Sequence, residues 1–509
     1  MGKNKQLIVN MIASFITFGI NLGIGFFLTP YIVKTVGSEA YGFVSLANNM
    51  INYATVVTIA LNSVAGRFIT IKVHQGKNLE ANRYFTSTFI SNIIFSIIII
   101  IIGIPFVWKM EYIINVPTQL ILNVKLLFIF VITNFVISIL STVLSVATFI
   151  TNKLYLSNIV NCIASLLKIA LLFGLFGFIS PNIAFIGLAS CIYSIVILFF
   201  NIIFTKKLVP NLKLKTYYFS LKSIFELLSS GIWNTVTKLS QILSDGLDLL
   251  ISNLWVSTLA MGQLSIAKTV PSLMASLLIT IVSVFSPQLT IYYAKNDIKG
   301  LVKELKLSMK MSSFFSNIPF SFFVIFGNLF FDLWVPSQDT NILYKLSILS
   351  IQGVMVSGAV TVLNNIFLVT NNLKLNSLFW ACIGIVDISI VSILLHITNL
   401  GVYAVAGVST SVAIIANLIF VPLYACKCLN IKWNTFYPQI FQYMGTTTFM
   451  LAIFYLLKRV IHFPNTWIYL IIIGIISLIF GILINFIMLL NSFERKYLFN
   501  KVKEKIVRR

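Results

Sequence analysis

The sequence predicts an all-α, polytopic membrane bundle of about fourteen transmembrane helices, built as two parallel-repeat six-helix lobes plus two C-terminal helices. Three observations predict it. Only 10% of the 509 residues are charged and 58% are hydrophobic, whereas a soluble domain carries roughly 25% charged residues. Apolar runs near or above the ~20 residues that cross a hydrocarbon core recur from end to end. Short segments of the first half return in the second half at a nearly constant offset. In lipid every backbone N–H and C=O must be paired internally, so continuous apolar runs are helices; strands of a barrel would alternate instead.

The expected spans are 7–33, 43–65, 85–107, 120–150, 154–179, 182–204, 227–256, 258–288, 307–331, 343–370, 377–398, 400–424, 438–460 and 466–490. Helix 1 follows a short basic start, but its apolar run is too long for a signal-peptide core and lacks a small-residue cleavage pattern, so it is expected to stay in the protein. Helices 2 to 6 complete the first lobe, 1–206, and the lysine-rich stretch 207–226 is a linker. Helices 7 to 12 form the second lobe, 227–426, and 427–509 holds helices 13 and 14 with a basic tail. Three of the five cysteines, Cys162, Cys191 and Cys382, lie inside apolar helices. Cys426 and Cys428 have no histidine or acidic neighbour, so neither a disulfide framework nor a metal site is expected.

Basic residues orient the bundle. Of the 36 lysines and arginines, 27 fall on one side of the expected membrane, four on the other and five inside spans. The positive-inside rule therefore assigns the lysine-rich side, with both termini, to the cytoplasm. The net charge of +23 is mostly this topology signal. With no basic domain to carry it, nucleic-acid binding is not expected.

The repeat is legible at four places. Gly42, Ser45 and Ala47 in helix 2 match Gly262, Ser265 and Ala267 in helix 8 at an offset of 220. The same offset pairs Lys125-Leu126 with Lys345-Leu346, and Ala184 and Gly187 with Ala404 and Gly407. An offset of 219 pairs Thr151-Asn152 with Thr370-Asn371. Six helices is an even number, so the two copies insert with the same orientation, like parallel transporter repeats, and a substrate site is expected between them near the midplane.

Ionisable residues deep in a membrane are costly and normally face a cavity or a partner. Lys168, Lys238, Asp245, Asp248, Lys268 and Asp387 are the deep ones; Lys168 lies about 20 Å along helix 5. Lys125 and Lys345 sit near outer helix ends and can snorkel. Helix 7 carries Asn234, Lys238, Gln241, Asp245 and Ser252 on one face, with Asp248 on its flank. Helix 2 carries a stripe of Ser45, Asn48, Asn52, Thr55 and Asn62, and helix 8 one of Ser265, Lys268, Ser272 and Ser276. For serine and threonine the plainer reading is interhelical glue. For the lysines and aspartates a water-filled cavity is the stronger expectation, with structural ion pairs as the alternative. The expected substrate-binding residues are Lys238, Lys268, Asn48, Asn52, Asn234 and Gln241; those for gating or ion coupling are Lys168, Asp387, Asp245 and Asp248. The 219 offset carries Lys168 onto Asp387, so opposite charges occupy equivalent depths in helices 5 and 11. They either meet across a central cavity or pair locally.

The run from Pro30 to Gly42, with Gly37, Glu39 and Tyr41, followed by an Ala-Asn segment and Gly66-Arg67, resembles the start of polysaccharide flippases of the Wzx type. Asp248 before Leu-Leu-Ile-Ser and then Gly262 is similar to that family's helix 7–8 junction. The superfamily also holds multidrug exporters and the lipid II flippase. The resemblance implies a non-enzymatic carrier in the bacterial cytoplasmic membrane. Its substrate would be an undecaprenyl-diphosphate-linked oligosaccharide, moved to the outer leaflet for cell-surface polysaccharide assembly. Membrane lipids, a coupling proton or sodium ion, a polysaccharide polymerase and glycosyltransferases are the implied partners. No cofactor or metal is expected. Helix 1 has no arginine, which argues against lipid II as substrate. A multidrug or cation antiporter would share the fold, and the three aspartates keep that reading open. A membrane glycosyltransferase or polymerase would need catalytic carboxylates on a sizeable outer loop, for which Asp332 and Asp339 are a thin basis.

The charge bias predicts a specific topology. Reporter fusions after Val116, Val335 and Phe463 are expected to read as external, and fusions at Gly76, Lys213 and Lys299 as internal. Inverted signals at two of these sites would overturn the orientation.

Overall fold

The computed structural model describes residues 3–370, 372–460, 464–491 and 495. It is helical throughout, with no strand among the described residues. The helices are α1 (Lys3–Val36), α2 (Ser38–His74), α3 (Asn78–Trp108), α4 (Thr118–Ile150), α5 (Leu154–Phe178), α6 (Ile183–Leu208) and α7 (Leu221–Gln241). They continue as α8 (Thr258–Tyr293), α9 (Ile298–Trp334), α10 (Thr340–Val369), α11 (Leu373–Ile397), α12 (Val402–Leu429), α13 (Tyr437–Val460) and α14 (Trp467–Met488). Among the described residues, thirteen helices are long and apolar enough to cross a membrane. Each coincides with an expected span, and the protein is a multi-pass membrane protein. The remaining expected span, 227–256, falls on α7 and its continuation. This segment is broken, with π-helical turns at Ile242–Gly246 before a short helix Asp248–Trp255, and it carries the polar stripe. Those two features keep it out of the thirteen.

Turn chemistry sets the helix ends. Asn182, Asp297 and Asp339 cap the starts of α6, α9 and α10, their side-chain oxygens accepting backbone N–H groups that have no partner inside the helix. Asn152, Asn296 and Asn430 adopt positive φ at turns between helices, a conformation asparagine tolerates better than most residues. The Thr151-Asn152 half of the repeat is thus a turn motif. Its counterpart Asn371 lies outside the described residues.

The chain divides into two compact units, residues 1–266 with 380–384, and residues 267–379 with 385–509. The packing boundary falls beyond the linker 207–226, because α7 and the start of α8 lie against α2. Sequence repeat and packing unit are therefore different divisions of this chain.

In the first unit α4 runs along α6, and α1 lies on α5. Asn10 donates to the Asn152 carbonyl at 2.9 Å, and Ser165 donates to Asn21 at 3.0 Å. Asn62 and Asn92 exchange amide hydrogen bonds at 3.0 and 3.1 Å, tying α2 to α3. These are the side-chain bonds expected to join helices that gain little from hydrophobic contact with one another in lipid. Phe85, Leu61, Ile69, Ala81 and Leu227 form an apolar core below them. At the opposite membrane edge Lys125 pairs with Glu111 at 2.7 Å, and that neighbour holds the Glu111 carboxyl below its ordinary pKa.

The second unit is centred on α9. Asn317 and Asn485, both fully buried, exchange amide bonds at 2.7 and 2.9 Å and fasten α14 to α9. Tyr443 of α13 donates to the Val354 carbonyl at 2.8 Å. Phe326, Met450, Phe454 and Ile473 fill the space between these helices. Helices α13 and α14 are part of this core.

At Gly231 of α7 the helices α7 and α2 approach closely, and a Cβ there would lie 1.8 Å from the Ala60 carbonyl oxygen. That atom is backbone, so the helices themselves would have to separate. Gly231→Ala is expected to destabilise the protein by at least the about 1–3 kcal/mol typical of overpacking. Gly174→Ala, with open space around it, should be neutral or slightly stabilising. Thermal melting of the two purified variants in one detergent checks the contrast.

Candidate functional site

One polar seam of the first unit lies where α2 meets α7 and the start of α8. At the top of this seam Gly42 and Gly262 face each other: a Cβ on Gly42 would lie 2.9 Å from the Gly262 Cα, and one on Gly262 would lie 2.4 Å from the Ser38 carbonyl oxygen. Ser265 donates to Ser45 at 2.5 Å alongside. Lower down, the π turns of α7 leave carbonyls without helical partners. Tyr53 of α2 donates to the Gly246 carbonyl at 2.5 Å, and the Asn49 amide approaches it at 3.4 Å. Asn234 donates to Ser63 at 2.9 Å.

Beyond Ser63 the seam opens into a cavity of about 660 Å³ within the first unit. Asn62, Ser63 and Arg67 of α2, Ser138, Ser141, Thr142, Ser145 and Thr148 of α4, Ser157 and Asn161 of α5, and Tyr193, Ser194 and Asn201 of α6 line it. Part of this lining is bonded to itself: Asn201 donates to Ser141 at 2.8 Å, and Thr148 and Ser157 lie 2.8 Å apart. Arg67 is exposed and forms no ion pair or hydrogen bond among the described residues. No carboxylate lines the cavity. Val146, Phe149, Leu154, Val160 and Ile197 complete the wall, so hydroxyls, amides and one cation stand among apolar side chains, a lining that can meet hydroxyl and anionic groups as well as hydrocarbon.

The residues expected from sequence are distributed differently. Lys238 is half-buried on α7 in the first unit and makes no ion pair among the described residues; Lys268, half-buried where α8 is interrupted, falls in the second unit. Asn48, Asn52 and Gln241 are exposed, while Asn234 is engaged with Ser63. Lys168 is half-buried on α5 of the first unit. Asp248 is buried in the first turn of the helix after the break. Asp387, 3% exposed, accepts a hydrogen bond from Ser409 at 2.9 Å within the second unit. The side chain of Asp245 lies outside the described residues. None of these residues lines the 660 Å³ cavity. Asn62 of the helix 2 stripe and Arg67 of the Gly66-Arg67 motif do. The helix 4 hydroxyls were missed, although Ser138, Ser141, Ser145 and Thr148 recur every three or four residues along one face.

The chain has the fold seen in transporters of the MOP superfamily. It superimposes on the lipid II flippase MurJ in an inward closed conformation, with a TM-score of 0.67 and 17% identity over 93% of this chain and 98% of that one. An inward-facing multidrug resistance MATE family transporter of the MOP superfamily gives a TM-score of 0.62 and 14% identity, covering 83% of this chain and 99% of that one. In sequence the chain is 27% identical over 442 residues to the uncharacterized membrane protein EpsK of Bacillus subtilis (strain 168), covering 87% of each. No family model matches the chain.

Removing the Tyr53 hydroxyl tests the seam. Tyr53→Phe takes the stronger donor from the Gly246 carbonyl and is expected to cost about 1–3 kcal/mol. Asn49→Ala, acting at 3.4 Å, should cost less. Melting temperatures of the two variants in one detergent give the order.

Proposed function

We propose that this chain is a flippase for an undecaprenyl-diphosphate-linked oligosaccharide. It would carry that substrate by alternating access from the lysine-rich face, taken as cytoplasmic, to the outer leaflet of a bacterial cell membrane. The observation that carries the reading is a cavity whose partly apolar wall holds hydroxyls, amides and Arg67, a cation with no ion pair among the described residues, and no carboxylate. Sugars are held by such groups, and a guanidinium matches a phosphate with two parallel hydrogen bonds. A cavity for cationic drugs would be expected to carry acidic groups, and the lining holds none beside its two aromatic side chains, Phe149 and Tyr193. The likeness in fold to a lipid II flippase supports a lipid-linked substrate class. Arg67 is the proposed phosphate ligand within the cavity, while Lys238 and Lys268, outside its lining, stay separate sequence-based proposals for substrate binding. No step of this role breaks or forms a covalent bond in the substrate, so the chain is proposed to be a carrier and not an enzyme.

The test uses proteoliposomes of the full chain, with a lipid-linked oligosaccharide in one arm and a dye cation in the other. Flipping is expected in the first arm only. Arg67→Ala should lower it about ten- to hundredfold, the loss of a charge-assisted hydrogen bond, and Arg67→Lys should recover part. Dye transport without glycolipid movement would overturn the substrate class. Unchanged glycolipid flipping by Arg67→Ala, at equal protein level, would remove the cavity from the proposal.

A further inference from the structure

A second cavity, of about 560 Å³, lies in the first unit on the far side of the α4–α6 pair. Its walls are apolar and include Phe85, Leu140, Leu144 and Ile202, and Lys206, Lys213 and Lys215 form its rim. It shares no lining residue with the hydroxyl-lined cavity. Ser138, Ser141 and Ser145 of α4 face one cavity and Leu140 and Leu144 the other; on α6, Ser194 and Asn201 are opposed to Leu198 and Ile202.

The lysines are held over this pocket by a fixed backbone. Lys206 stands in the last turn of α6. The segment that follows is pinned along α3: the Lys213 N–H donates to Asn82 at 2.9 Å, its carbonyl accepts from Thr86 at 3.3 Å, and the Ser220 N–H donates to Ser87 at 2.9 Å. Val209 and Leu212 are buried in the apolar core beside Phe85. All three lysines are exposed, and none forms an ion pair among the described residues. The carboxylates of the adjoining helices are engaged elsewhere, Glu80 with Lys72 at 2.5 Å and Glu226 with the Tyr84 hydroxyl. Tyr217, Tyr218 and Phe219 follow at once, the composition of a segment at headgroup depth.

From this arrangement we infer that the pocket is a binding site for an anionic phospholipid of the surrounding bilayer, with one acyl chain between α3, α4 and α6 and the phosphate against Lys206, Lys213 and Lys215. Basic pockets between transmembrane helices hold lipid headgroups in this way. The occupant has a phosphate and a hydrocarbon chain to satisfy, but the pocket offers nothing for a sugar. Thr205, its one uncharged polar side chain, already donates to the Leu144 and Asn201 carbonyls. That selects a bulk membrane lipid over a glycan-bearing one, and the site stands whatever the protein transports.

Native mass spectrometry of the delipidated full chain, titrated with phosphatidylglycerol, phosphatidylcholine or undecaprenyl phosphate, tests the assignment. Phosphatidylglycerol is expected to bind most tightly. Combined Lys206→Gln, Lys213→Gln and Lys215→Gln should weaken it about a hundredfold, near fivefold for each lysine. Lys207→Gln, an exposed neighbour outside the rim, should leave it unchanged. Ile202→Trp fills the pocket without altering charge and should weaken binding as well, which keeps the test decisive if the triple variant folds poorly. Equal binding of phosphatidylglycerol and phosphatidylcholine, or no loss in either the triple variant or Ile202→Trp, would overturn the site. Tighter binding of undecaprenyl phosphate than of phosphatidylglycerol would overturn the choice of occupant.

Discussion

The first unit depends on backbone meeting backbone along α2. A helix pair in lipid gains little from hydrophobic contact, because acyl chains are as apolar as leucine, so close approach and hydrogen bonding must hold it. Glycine provides the approach at Gly42, Gly262 and Gly231, and Tyr53, Asn49 and Ser63 provide the hydrogen bonds beside them. The pairs α4–α6 and α1–α5 complete the unit. Because α7 is drawn onto α2, the compact unit runs past the linker to Ile266.

The π turns at Ile242–Gly246 follow from the same constraint. A helix that carries Asn234, Lys238, Gln241, Asp245 and Asp248 on and beside one face cannot bury that face in lipid at low cost. Breaking it frees carbonyls, and irregular backbone is tolerated in a membrane only where protein or water satisfies it. Tyr53 satisfies Gly246 from the neighbouring helix. The interruption and the polar side chain opposite it are therefore one feature, divided between two helices almost two hundred residues apart.

Span positions were legible in the sequence to within a few residues, except at helix ends that extend the span on the lysine-rich side, as α2 does to His74 and α9 does from Ile298. Composition fixes where an apolar run is, but helices continue into polar sequence wherever backbone bonding continues. The site was legible in part. Charge marked Lys238, Lys268 and Asp387, because a charge in a membrane is conspicuous in a list of residues. Whether it faces a cavity depends on the neighbouring helix, and for Asp387 that neighbour is Ser409, a local partner. The helix 4 hydroxyls were the opposite case. Each is unremarkable alone, and their meaning lies in facing Asn161 and Arg67 across one space.

The repeat shows how far such reading can reach. Gly42 and Gly262, Ser45 and Ser265 were paired by an offset of 220 residues before any contact was known, and in the folded chain each touches its own equivalent. The retained glycine and serine then have a physical reason. A side chain at position 42 or 262 would push against the opposite backbone, and a hydroxyl at 45 or 265 needs the other to satisfy it. Matches farther along the chain, such as Lys125 with Lys345, carry no such reciprocal demand; Lys125 answers to Glu111. The offset of 220 thus joins residues that meet one another at Gly42 and Ser45, whereas at Lys125 it starts from a residue whose partner lies on its own side of the repeat.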